Sequence, residues 1–241
     1  MKQIWVITKR ELGSFFDSLT AYILIILFLA FCGLFTWLLG GNVFDREQAS
    51  MQTFFSIAFW VLFVFIPTLT MRLIAEENKT GTIELLLTKP VNDWQVVIGK
   101  FLSTMILICI ALLLTLPYYI TIWNLGPVDH GAVWSGYLGL ILMSATYASI
   151  GIFASCVTNN QIIAILLTFL IGIFFHLVFG LISFSIRGVL GEIFDYMSLS
   201  THFESISRGV IDSKDLIYFL SLIFMGLFIS EAVMAKRNLA N

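Results

Sequence analysis

Apolar runs of about twenty residues alternate with short polar connectors along the whole chain, the pattern expected of helices that each cross a hydrocarbon core about 30 Å thick. Six such runs are predicted, at residues 20–39, 53–74, 96–120, 133–156, 161–184 and 215–235. Pro67 falls in the second, as a tolerated kink. Ahead of the first run, Trp5, Thr8, Leu12, Phe15, Phe16 and Leu19 recur at helical spacing, while Lys2, Lys9, Arg10 and Asp17 lie mostly off that stripe. This predicts an amphipathic helix over residues 1–19 along the inner leaflet, with Trp5 and Phe15/Phe16 buried and the basic groups at the headgroups. The plainer alternative is a lead-in that extends the first span. The first run also lacks a small-x-small cleavage site, so it is expected to stay as a span.

The fourth run is rich in small residues, with Ser144/Ala148 and Gly151/Ser155 four apart, a spacing that lets helix backbones approach closely. It is expected at the centre of the bundle. The short Thr158-Asn159-Asn160 turn makes the fourth and fifth spans antiparallel neighbours. Residues 185–213 are broken up by Gly180, Gly188 and Gly191 but keep Phe194, Tyr196, Met197, Leu199 and Phe203, which predicts short helices dipping partway into the outer leaflet. The expected fold is one all-α domain, a polytopic membrane protein with six transmembrane helices.

Composition agrees: 12% of the 241 residues are charged, against roughly 25% in a soluble domain. The net charge of −2 and the lack of a basic cluster point away from nucleic acid. Lys and Arg set the orientation. Lys2, Lys9, Arg10, Arg72, Lys79, Lys89, Lys100, Lys236 and Arg237 fall on one side, against Arg46, Arg187, Arg208 and Lys214 on the other. Both termini are therefore expected in the cytoplasm.

Between Glu76 and Pro90 lies a polar stretch flanked on both sides by long apolar runs. Its Leu85-Leu86-Leu87 core makes sense as a short helix, with Thr80 and Gly81 as N-cap residues, Glu84 complementing the dipole and Pro90 as the stop. Asn92, with Gln95 three residues on, forms a capping box for the third span. Glu76 and Glu77 stand where the second span leaves the membrane. Such a segment is either a well-capped connector with a solvated charged face or a device that receives force from a partner protein.

Other chemistry finds little footing. No GxxxxGK[ST] loop occurs, and Gly81 is followed by Thr-Ile-Glu. Cys32, Cys109 and Cys156 lie far apart inside apolar runs, as small core hydrophobes do, without metal-ligand spacing. No catalytic residue and no metal ligand is assigned. His176 in span five either lines a substrate path or makes an interhelical hydrogen bond. Glu231 in the last span is either a conformational or proton-linked site, or a carboxylate that snorkels or pairs with Lys236 or Arg237. The Phe-rich spans speak against small ions and hydrophilic solutes and suit lipid, polymer or mechanical work.

The run Glu76-Glu77-x-x-x-Gly81-Thr82-Ile83-Glu84-x-Leu86-Leu87-Thr88-x-Pro90 resembles the signature of permease subunits of type-2 ABC transporters. With the N-terminal helix, six spans and re-entrant segment, the resemblance covers essentially the full chain. The stretch His202-Phe203-Glu204 followed by Arg208-Gly209-Val210-Ile211-Asp212 is similar to one found in permeases associated with gliding motility and in those linked to copper-enzyme maturation. The resemblance implies an exporter-type half-transporter of a bacterial inner membrane. It binds no cofactor itself; ATP and Mg sit on separate P-loop ATPase subunits, and the chain pairs with a second permease, identical or sister. It also implies that residues 76–90 form a coupling helix, in which Glu76, Glu77, Thr80, Gly81, Thr82, Glu84, Leu85, Thr88 and Pro90 meet the ATPase, with Lys9, Arg10 and Glu11 as a second contact. Phe203, Glu204 and Arg208 become candidates for an outer gate. The rival reading is a non-transporting anchor or scaffold of a larger envelope complex.

Overall fold

A computed structural model describes residues 2–39, 50–81, 91–186 and 188–240. In chain order the helices are α1 (Lys2–Asp17), α2 (Leu19–Trp37), α3 (Gln52–Thr70), α4 (Ala75–Thr80), α5 (Asp93–Leu113), α6 (Leu116–Leu125), α7 (His130–Val157) and α8 (Gln161–Ile173). A π-helical turn, Phe174–Val178, joins α8 to α9 (Phe179–Ser185), and α10 (Val189–Met197), α11 (Leu199–Ser207) and α12 (Ser213–Ala240) follow. No strand occurs among the described residues, and six helical runs are long and apolar enough to cross a membrane.

Local chemistry sets several boundaries. Gln95 Oε1 accepts from the Asn92 amide at 3.2 Å, one half of the expected capping box at the start of α5. Asp129 caps α7 by accepting from Gly131 N and Ala132 N, at 2.9 and 3.2 Å. Asn160 caps α8 through Ile162 N at 2.9 Å, directly after the short turn that makes α7 and α8 antiparallel neighbours. The third span, Asp93–Leu125, contains the expected run 96–120. It is built of α5 and α6 with a break at Leu114–Thr115, because Pro117 has no amide hydrogen to continue the ladder and instead suits the first turn of α6. Gly180 likewise does not break the chain: it lies inside α9 facing Ser198 and Ser200, where a side chain would crowd their hydroxyls.

The core sits around α7, which contributes more buried residues than any other described helix and packs against α3, α5, α8, α11 and α12. Its small residues let neighbours in closely, as expected. A methyl group added to Gly151 would overlap Thr70 of α3, whose Cβ would be 2.7 Å away. Next to it, Ser155 Oγ accepts from Ile74 N and Ala75 N (3.0 and 2.9 Å) and donates to Met71 O at 3.1 Å. It thereby satisfies orphan amides at the start of α4.

The N-terminal helix packs along α5. Its stripe against the protein is Ile7, Thr8 and Phe15, while Trp5 and Leu19 are exposed. The reason is close contact with α5: Gly99 has no side chain, so Ile7 reaches its backbone, and Thr8 Oγ1 lies 3.1 Å from Gly99 O. Trp5 is left on the face turned away from α5.

Gly151→Val is expected to destabilise the chain by about 1–3 kcal/mol through overpacking against Thr70, and Gly13→Ala, where nothing lies within 4 Å, to be neutral or slightly stabilising. Thermal unfolding of the detergent-purified variants checks the contrast.

Candidate functional site

At the end of the bundle where α1 lies, four charged side chains from three elements meet. Lys100, on the first turns of α5, is fully buried. Its ammonium stands 3.0 Å from Glu77 Oε1 on α4 and 3.4 Å from Glu11 Oε1 on α1, and it donates to Leu73 O. Arg10 Nη2 reaches Glu77 Oε1 at 3.1 Å and also bonds Glu11. Two cations and two carboxylates thus compensate one another, so the buried side chain of Lys100 has opposite charge on two sides. Burial alone would pull the Arg10 guanidinium down, but Glu11 and Glu77 outweigh it and hold Arg10 above its ordinary value.

Around this cluster the turn between α3 and α4 is pinned from a second side. Arg72 donates to Ser18 Oγ and Thr20 Oγ1, both at 3.3 Å, and its guanidinium lies 4.9 Å from the Phe15 ring centroid. A crevice of about 490 Å³ opens between α1 and α4, lined in part by Arg10, Glu11, Arg72, Glu76, Glu77 and Thr80. The predicted contact residues therefore divide. Lys9, Glu76 and Thr80 are exposed, and Arg10 is half exposed, whereas Glu11 and Glu77 turn inward onto Lys100.

The segment that Thr80 and Gly81 were expected to cap lies outside the described residues. Thr80 is the last residue of α4, its hydroxyl donating back to Glu76 O at 2.9 Å. Gly81 follows in the left-handed region at φ 70°, ending the helix as glycine commonly does. Thr82, Glu84, Leu85, Thr88 and Pro90 lie outside the described residues.

At the opposite end of the bundle, Phe203 is buried and stacks on Phe59 with centroids 4.6 Å apart. Glu204 and Arg208 are exposed one turn apart, Arg208 Nη2 lying 3.8 Å from Glu204 Oε2. His202 forms a buried clasp that sequence reading did not single out: Nδ1 meets Asp215 Oδ1 of α12 at 2.6 Å, and Nε2 meets Tyr196 O at 2.9 Å. Because a carbonyl only accepts, Nε2 carries a hydrogen there. His176 makes the interhelical bond that was one of its two readings, Nδ1 to the Tyr147 hydroxyl at 2.7 Å. Glu231 is half-buried and makes no ion pair with Lys236 among the described residues.

Lys100 is the centre of this cluster that sequence reading missed; there it counted only as one more positive charge near the membrane surface. No group of three or more His, Cys, Asp or Glu poised for a metal occurs among the described residues.

A family model described as ABC-2 family transporter protein matches residues 42–234. The chain belongs to that family. The match takes in the described helices from α3 through most of α12 and the whole signature region after α4. It makes the chain a membrane component of an ABC transporter, of the permease kind. No curated protein matches it.

Lys100→Met is expected to cost about 3 kcal/mol, because it removes the buried counter-charge of two part-buried carboxylates and leaves Arg10 to compensate both. Adding Glu11→Gln and Glu77→Gln to it should recover a substantial part of that loss. A double-mutant cycle by thermal unfolding measures the coupling.

Proposed function

We propose that this chain is the permease half of an ATP-driven exporter, and that ATPase subunits bound at the α1 end press on α1, α4 and the signature residues that follow. The observation that carries this reading is buried Lys100. It fastens Glu11 of α1, Glu77 of α4 and the Leu73 carbonyl at the end of span two to span three. A load applied to the surface of α1 or α4 is therefore delivered to spans two and three together. Charged side chains held by two or three partners resist independent motion better than a solvated connector does. The exposed Glu76 and Lys9, and the crevice between α1 and α4, supply the outward-facing contact.

On this reading the α1 end and both termini lie in the cytoplasm, the chain sits in a bacterial inner membrane, and a second permease, identical or sister, completes the unit. ATP and Mg bind the ATPase, and this chain supplies no catalytic group. The stretch from His202 to Asp212 supports a place among permeases that serve gliding motility.

The tagged chain, purified from native membranes in mild detergent, is expected to carry a P-loop ATPase in stoichiometric amount and to hydrolyse ATP. Glu84→Lys should lower that activity about tenfold or more, as charge reversal at an interface does, while the chain still inserts in the membrane. An eluate without an ATPase would instead favour the anchor or scaffold reading.

A further inference from the structure

At the end of the bundle opposite α1, one imidazole ties α10 and α11 to the last span. His202 of α11 and Asp215 in the first turn of α12 are both buried, and Nδ1 and Oδ1 stand 2.6 Å apart. On the other edge of the ring, Nε2 meets Tyr196 O of α10 at 2.9 Å. Tyr218 of α12 stacks on the imidazole with centroids 4.0 Å apart and donates its hydroxyl to Met197 O at 2.7 Å.

These contacts fix the number of hydrogens on the pair. Tyr196 O can only accept, so Nε2 carries one. Imidazole with its hydrogen on Nε2 presents a lone pair at Nδ1, and an ionised carboxylate presents another at Oδ1. Two lone pairs repel at 2.6 Å, so a second hydrogen lies between Nδ1 and Oδ1. The pair is therefore imidazolium with carboxylate or imidazole with carboxylic acid, neutral overall in both forms, as suits a buried position. Asp215 Oδ2 is buried without a hydrogen-bond partner. If the shared hydrogen left, the carboxylate would have no donor on either oxygen. If the remaining hydrogen moved to Nδ1 instead, Asp215 would keep its bond and Tyr196 O would face a lone pair. One tie is lost in either case.

We propose that His202 and Asp215 form a proton-binding site, and that the proton they share fastens α10 and α11 to α12. Its loss to water loosens α11, whose Phe203 stacks on Phe59 of α3, the second span. α11 packs against α7, the π turn, α10 and α12, and no other charged group on these elements bonds the pair among the described residues. Tyr137 and Tyr147 of α7 bond Thr115 and His176 of the π turn, and Asp195 of α10 accepts from Thr201. Lys214 pairs with Asp212, and Glu204 with Arg208. Only the phenols of Tyr196 and Tyr218 touch the imidazole, the former by its edge at 5.2 Å.

The sign of the pH dependence follows from the proton count. In an open form exposed to water, imidazole gives up its proton near about pH 6.5 and a carboxyl near about pH 3.9. Between those values open and closed forms both hold one proton, and closure does not respond to pH. Above about pH 6.5 only the closed form holds it, so closure weakens by up to about tenfold per pH unit.

The test needs no ATPase, so its failure and that of the exporter reading are distinguishable. Deuterium uptake of α10 and α11 peptides is followed in the detergent-purified full chain at about pH 6 and about pH 8.5, a span over which closure weakens. Asp215→Asn is the reference at each pH, which cancels the intrinsic pH dependence of exchange. Its amide can donate to Nδ1 while Nε2 still donates to Tyr196 O, so this variant stays closed without the extra proton. Uptake in the unaltered chain should match the reference at the lower pH and run about tenfold faster or more at the higher. His202→Phe keeps a ring against Tyr218 but holds no proton, and gives a second reference. It should exchange faster than the unaltered chain at the lower pH, with the difference shrinking at the higher. A ratio to either reference that stays constant with pH overturns the proposal, and so does Asp215→Asn exchanging faster than the unaltered chain at both.

Discussion

The contact on which the α1 end of the molecule depends is the buried ammonium of Lys100. A lysine without solvent is tolerated only beside compensating charge, and here the charge comes from two elements far from it in sequence, Glu11 of α1 and Glu77 of α4. That requirement adds a polar tie to the packing of α1 on α5 and fastens α4 to both. α4 is six residues long and largely polar, too short to hold itself as a helix. It is held by Lys100 through Glu77 on one side and by Ser155 through its first amides on the other. Arg10 then closes the cluster electrically by bridging the two carboxylates.

α7 provides the opposite kind of support. In a bilayer, lipid tails are as apolar as leucine, so helices associate through close packing and hydrogen bonds more than through hydrophobic burial. Gly151 against Thr70 and Ser155 against the α3–α4 turn are contacts of this type, one a close backbone approach and the other a polar link. They lie one turn apart on α7 and act on consecutive parts of the same neighbouring segment. α2 is the contrast: most of its side chains face outward, as expected of a helix at the lipid boundary.

What sequence reading resolved was whatever depends on short spacing. The six spans, the central place of the small-residue helix, the Asn92–Gln95 box and the tight turn before Gln161 each rest on residues within a turn or two of one another. Lys100 was illegible for the opposite reason. A lysine at the mouth of an apolar run ordinarily snorkels to the headgroups, and nothing within several residues of it announces Glu11 or Glu77. The π turn at His176 has no sequence signal of its own, and the break after α5 was passed over because Pro117 sits within an unbroken apolar run.

The two ends of the bundle differ in how their polar groups are satisfied, and α7 joins them. At the α1 end Lys100 has three partners, and every link there resists displacement. At the other end the imidazole of His176 has one partner, the hydroxyl of Tyr147 on α7, and sits in a turn wound more loosely than an α-helix. Tyr147 and Ser155 are eight residues apart on one helix, about 12 Å along its axis, so one helix touches both the α3–α4 turn and His176. Continuity of this kind is not coupling by itself; coupling needs an element with two arrangements that both ends bias. A π turn is a register offset that a helix can absorb without losing its span, and this one lies where Tyr147 of α7 bonds His176.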